Sequence, residues 1–180
     1  VELMPVTEFD EIMMSASGNG FHDAKPEPTG YLNYWGYGPS YLYAVKSAYA
    51  SHGELSAECQ FKTLVKELHK AGIECIPEIY FTGKELPGEI LFVLRYWVEE
   101  YHVDGFHLSG FPDLSLAAED PFLKRTKLFA ENWNDVMNRR PKQGYVTPGD
   151  GAVSVEEKNL AEYNMQFMED MRRFLKGDEG

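Results

Sequence analysis

With 180 residues, 43% of them hydrophobic, the chain is long enough to bury one sizeable core and reads as a single globular domain over 1–180. Its formal net charge of −12 argues against nucleic acid and anionic membrane surfaces as partners, because both repel it. No apolar run reaches the length of a membrane span, and no secretory signal is legible. The chain begins with valine rather than an initiator methionine, which reads as a trimmed product or an excised piece. Cys59 and Cys75 lack metal-ligand spacing; they are expected as two free, mostly buried thiols in a reducing, cytoplasmic setting. Nothing in the chain calls for a cofactor or a metal.

Residues 1–6 read as a first strand, ended by proline chemistry. From position 7 to about 55, Gly, Pro, Ser and Asn are scattered among Tyr31, Tyr34, Trp35, Tyr37, Tyr41, Tyr43 and Tyr49. A loop of that length without its own secondary structure is expected to be a lid or binding loop. Phe61, Leu64, Val65 and Leu68 then fall on one helical face, with Gly72 as its stop. Residues 73–81 read as a second strand. Ile90, Leu91, Leu94, Trp97, Val98 and Tyr101 follow helical spacing again.

Residues 103–109 predict a short buried strand running into Ser109, and residues 127–133 a further strand that stops on Glu131. A second loop is expected over 138–154. The last helix is expected to carry Leu160, Tyr163, Phe167, Met171 and Phe174, with Arg172, Arg173 and Lys176 near its C-terminal end, where the dipole favours cations. Strands alternating with helices of this length imply parallel crossover units, hence an α/β architecture.

Several stretches, in order along the chain, resemble one known family. Residues 1–6 with Glu8, Phe9, Asp10 and Glu11 are similar to the second barrel strand and its exit in the α-amylase superfamily of glycoside hydrolases. Asn33, Tyr34, Trp35, Gly36, Tyr37, Gly38 and Pro39 resemble the signature that follows it in the isoamylase and glycogen-debranching group. Residues 61–76 resemble the helix into the third strand, residues 103–106 the fourth strand, and residues 120–123 followed by 127–133 the approach to the fifth. Residues 160–164 and 171–178 resemble the segment after the sixth. The resemblance implies a partial (β/α) barrel, roughly strands two to six with their helices. A complete barrel of this kind takes eight strand–helix units.

The same resemblance assigns roles. Retaining glycosidases hold two carboxyl groups about 5–5.5 Å apart, one nucleophile and one acid/base. Glu131 stands at the family's general-acid position, while Ser109 occupies the position of the nucleophilic aspartate. A hydroxyl there cannot form the usual glycosyl ester, and the sequence offers no adjacent base to activate it. His107 replaces an arginine that supports the nucleophile; a Ser109–His107 relay and Asp113 as a substitute carboxylate are weaker alternatives. Where the family carries aspartate and then asparagine-histidine, this chain has Glu78, Thr82 and Gly83. Tyr37 matches the sugar-stacking aromatic, and Trp35, His107 and Glu78 are grouped with it as candidate substrate-binding residues. The competing reading packs Tyr34, Trp35 and Tyr37 against the barrel top and makes Glu78 structural.

Three functions follow. The first is a homologue of α-glucan debranching hydrolases without hydrolytic activity, contacting α-glucan or maltooligosaccharide through Tyr37. The second is a fragment of an active α-1,6-glucan debranching hydrolase with Glu131 as general acid and another carboxylate as nucleophile. The third is a non-catalytic structural or interaction module. An open barrel would also expose strand edges and an apolar inner wall, so self-association or packing against missing barrel segments is expected.

Overall fold

Short apolar runs separated by amphipathic helices build one parallel sheet with helices along its outer side. The computed structural model describes residues 1–14, 28–114, 116–130 and 159–177. In chain order the strands are β1 (Glu2–Leu3), β2 (Thr7–Phe9), β3 (Ile12–Met14), β4 (Pro28–Leu32), β5 (Ser40–Val45), β6 (Ile76–Phe81), β7 (Gly105–Gly110), β8 (Lys127–Ala130) and β9 (Leu160–Glu162). The α-helices are α1 (Ala57–Lys70), α2 (Pro87–Tyr101) and α3 (Met165–Lys176). Five strands form the main sheet in the order β1-β6-β7-β8-β9, every neighbouring pair parallel. That is the number and order expected for barrel strands two to six.

Local chemistry sets the helix ends. The Ser56 hydroxyl accepts a bond from Cys59 N at 3.3 Å to open α1, and Gly72 leaves it in the left-handed region at φ +72°. Pro87 begins α2, where it has no N–H to lose, and the Glu89 carboxylate accepts from Leu86 N at 3.3 Å. The Asn164 side chain caps α3 by accepting from Phe167 N at 2.9 Å.

Alternation along the strands sorts their side chains. Ile79, Phe81, Phe106, Leu108 and Leu128 point to the outer face and are fully buried. They meet Phe61 and Val65 of α1 and Ile90, Val93, Leu94, Trp97 and Tyr101 of α2 in one core. Each such side chain contributes about 1.5–3 kcal/mol by leaving water. At Gly105 the backbones of β7 and β8 come so close that a Cβ would lie 2.6 Å from the Lys127 carbonyl oxygen. Only glycine lets the two strands pair there.

The structure departs from the sequence reading in four places. The stretch 7–55 is not without secondary structure: β2 pairs antiparallel with β5, and β3 with β4. In β5, Tyr41 and Tyr43 are exposed while Leu42 and Ala44 between and after them are partly buried, a strand alternation obscured by the surrounding glycines and prolines. Leu160 starts β9 rather than the last helix, which begins only after the Asn164 cap. Both cysteines are free, but Cys59 is exposed on the first turn of α1 and only Cys75 is buried. Burial, then the neighbouring Asp104 carboxylate, pushes the Cys75 thiol up to about 11. The inner wall, expected to be apolar, carries Glu78, His107 and Ser109. The loop expected over 138–154 lies outside the described residues.

Asp120 anchors the segment between β7 and β8. Arg95 of α2 donates to it through Nε at 3.3 Å and also through Nη2. Its Oδ1 accepts from Phe122 N at 3.0 Å and Leu123 N at 3.2 Å. Burial alone would raise the Asp120 pKa, but Arg95 and these amides outweigh it and hold the carboxyl below its ordinary 3.8. Its stabilising contribution is therefore complete above the ordinary value and is lost as pH falls through the lowered one. Urea titrations should show the midpoint falling from about pH 4 downward, with a flatter acid limb in Asp120→Asn.

Candidate functional site

Parallel register lines up the inner wall. Glu78 stands opposite His107, His107 opposite Phe129, and Phe129 opposite Ala161, while Tyr80 stands opposite Ser109 in the next layer up. Side chains two apart on a strand share a face, so Glu78, Tyr80, His107 and Ser109 line the same side of the sheet. In a parallel sheet the strand ends converge on one rim, and Ser109 lies one residue from the end of β7.

His107 is held by partners from other strands. Its Nδ1 lies 2.8 Å from Glu2 Oε1 on the edge strand β1, 3.4 Å from the Tyr163 hydroxyl after β9, and 3.8 Å from Glu78 Oε2. The Tyr163 ring also packs on the imidazole at a centroid distance of 5.1 Å. Glu78 is 4% exposed and accepts a long bond of 3.4 Å from the Tyr37 hydroxyl. Sequence reasoning placed His107 and Glu78 in the site but missed Glu2 and Tyr163, whose approach depends on strand order.

Ser109 is 4% exposed. Its Oγ, His107 Nε2 and Glu78 Oε1 are buried without a hydrogen-bond partner among the described residues. The Ser109–His107 relay is therefore not formed. Asp113 is solvent-exposed in the loop beyond β7. Between them Gly110 adopts φ +82°, and the following Phe111 N donates to Phe81 O at 3.0 Å, closing the rim of β7 onto β6. Glu131 lies outside the described residues.

The loop after β6 is closed on itself. Glu85 accepts from Thr82 N at 3.2 Å, Thr82 Oγ1 at 2.8 Å, Gly83 N at 3.0 Å and Lys84 N at 3.1 Å. Burial opposes ionisation there, but these bonds outweigh it and lower the Glu85 pKa. Thr82 and Gly83 thus belong to a tight turn. Glu85 was missed in the sequence; its signal was the short Thr-Gly-Lys-Glu run before Pro87.

The aromatic turn sits beside this wall. Asn33 closes it by accepting from Gly36 N at 3.0 Å and donating to Tyr37 O at 3.0 Å. Tyr37 is 44% exposed and its ring packs on Tyr80 at 5.5 Å. Trp35 is 56% exposed and meets Tyr34 edge-on at 5.3 Å, so this pair is not packed away against the sheet. Among the described residues no group of three or more His, Cys, Asp or Glu could hold a metal ion.

The Ser109 position can be tested for what it tolerates. A carboxylate there would be buried one layer above Glu78, with the imidazole on its own strand already engaged by Glu2. Ser109→Asp should cost about 3 kcal/mol of stability, and His107→Arg in the same chain should recover part of it. A urea double-mutant cycle measures both terms.

No family model matches the chain. Isoamylase 3, chloroplastic, of Oryza sativa subsp. japonica is 29% identical over 252 residues, covering 100% of this chain and 29% of that protein. The glycogen operon protein GlgX homolog of Mycobacterium tuberculosis is 32% identical over 197 residues, covering 74% of this chain and 26% of that protein. The glycogen debranching enzyme of Serratia proteamaculans is 28% identical over 218 residues, with coverages of 87% and 31%. The chain thus spans less than a third of the length of these relatives.

Among solved structures, a pullulanase from Paenibacillus barengoltzii in complex with maltohexaose and alpha-cyclodextrin has a TM-score of 0.50 at 17% identity, over 73% of this chain and 27% of that one. A product complex of the glycogen-degrading pneumococcal virulence factor SpuA has a TM-score of 0.52 at 16% identity, over 73% and 18%. These likenesses carry the fold, a partial (β/α) barrel. With sequence similarity over 74% to 100% of its length to isoamylase and debranching proteins, the chain belongs to the isoamylase and glycogen-debranching group of glycoside hydrolase family 13, in the α-amylase superfamily.

Proposed function

We propose that this part of a debranching-type barrel does not hydrolyse α-glucan and instead contacts it through Tyr37 and the neighbouring aromatic turn. The observation that supports the reading is the burial of Ser109, which the family resemblance sets at the nucleophile position, with no base bonded to its hydroxyl among the described residues. Among the described residues, Glu78 sits at the level of His107, a layer below Ser109, and accepts from the Tyr37 hydroxyl, while Glu2 pairs a row lower and reaches the His107 imidazole. Tyr37 keeps nearly half its surface open, and an aromatic face covers the apolar face of a glucose ring without any catalytic partner.

The expected result is no reducing-end release from pullulan or glycogen, alongside calorimetric binding of maltohexaose weakened at least about tenfold by Tyr37→Ala. Turnover abolished by Glu131→Gln would establish an active debranching hydrolase instead. Absence of both binding and turnover would leave a structural or interaction module.

The partner reading is also a proposal. Strands β1 and β9 end the sheet, and an apolar groove of about 410 Å³ runs beside β1, lined by Leu3, Met4, Val6, Phe61 and Leu64. On α3, Phe167, Phe174 and Leu175 are exposed. These features support pairing with a second copy or with barrel segments outside this sequence. Light scattering on the isolated chain should report self-association; a compact, well-folded monomer would overturn that.

A further inference from the structure

Lys46 is a buried cation that the sequence reading passed over. It is 3% exposed, at the end of the strand that follows the aromatic turn. Its ammonium has three protons to give, and three oxygens receive them: Glu8 Oε1 at 2.7 Å, the Phe9 carbonyl at 2.8 Å and Glu11 Oε1 at 3.1 Å. The same nitrogen lies 4.5 Å from the centroid of the Phe9 ring, within cation–π range. Glu8 is fastened in turn by Ser47 N, which donates to its other oxygen at 2.7 Å. Burial by itself would lower the Lys46 pKa, but Glu8 and Glu11 outweigh it and keep the ammonium charged.

The Phe9 ring is the floor of the aromatic turn. Gly36, at the centre of that turn, has φ +80°, and a Cβ there would lie 2.7 Å from Phe9 Cε1 and 3.0 Å from Pro5 Cβ. Gly36 therefore rests directly on the ring that Lys46 holds. A second tie runs through the same strand exit: Asn33, which closes the turn, donates its backbone N–H to Glu11 O at 2.7 Å. Glu11 is also a partner of Lys46. Lys46 thus reaches the turn twice, through Phe9 to Gly36 and through Glu11 to Asn33.

We infer that Lys46 is the positioning residue of the aromatic turn: by fixing Phe9 and Glu11 it sets where Trp35 and Tyr37 stand above the sheet. It touches no ligand itself. The inference rests on the glucan-contact reading only for its effect on binding; the placement of the turn is independent of what binds.

Both parts can be read separately. The chain has three tryptophans. Labelled with 5-fluorotryptophan, it gives a fluorine resonance for Trp35, assigned by Trp35→Phe, and one for Trp97, which is fully buried in the helix–sheet core. In Lys46→Met the Trp35 resonance should shift and broaden while Trp97 stays in place, and the maltohexaose Kd should rise about tenfold. Lys46→Arg, which keeps a charged donor, should return both readouts toward wild type. If Lys46→Met also loses the Trp97 resonance and is unfolded, Phe9→Leu with Lys46 intact should produce the same Trp35 displacement.

An unmoved Trp35 resonance and unchanged Kd in the folded variant overturn the role of Lys46. A wild-type chain that fails to bind maltohexaose, while Lys46→Met still displaces Trp35, overturns the glucan reading and keeps the positioning role. Binding lost in Tyr37→Ala but intact in folded Lys46→Met, with Trp35 unmoved, does the reverse.

Discussion

The parallel register of β6, β7, β8 and β9 is the constraint on which everything else in this chain depends. It puts Glu78, His107, Phe129 and Ala161 in one row across the inner wall and Tyr80 with Ser109 in the row above. A slip of one residue would turn Phe106 and Leu108 inward and His107 and Ser109 into the helix layer, exchanging a buried apolar face for a polar one. The helices make that slip costly, because Trp97, Leu94, Ile90 and Phe61 are shaped around the outward row. The tight pairing at Gly105 adds a steric stop, since any side chain there would meet the Lys127 backbone.

On that frame the described rim and wall carry polar contacts within and between strands. His107, where relatives of this fold are expected to carry arginine, is absorbed by Glu2 and Tyr163. The turn after β6 is tied up by the Glu85 carboxylate, so Thr82 and Gly83 are spent on holding the chain. Ser109 faces the same side as His107 without bonding to it. Among the described residues, the Ser109 hydroxyl has no hydrogen-bonded base beside it.

The aromatic turn is organised differently. Its surface is open at Trp35 and Tyr37, yet its base is fixed, with Gly36 on Phe9 and the Lys46 ammonium bound by two carboxylates and one carbonyl. Rigid support under exposed rings is the arrangement a stacking surface needs, because fixing loose aromatic side chains on binding costs entropy. The antiparallel pairing of β2 with β5 supplies the support by bringing Glu8 and Lys46 together across the ribbon.

What the sequence determined by itself was local and periodic. Helical spacing located α1 and α2, Gly72 marked a stop, and the apolar runs announced the parallel strands that end at Phe81 and Gly110. Resemblance then singled out Ser109 and Tyr37 and the likeness to a barrel of strands two to six. The ribbons within 7–55 escaped notice because glycine and proline punctuation hid the alternation of Tyr41 and Tyr43 with Leu42 and Ala44. Glu2 at His107 and Lys46 under Phe9 were decided only by the tertiary structure. Glu2 and Lys46 meet their partners through strand order and register, and those are properties of the assembled sheet and ribbon that no run of neighbouring residues encodes.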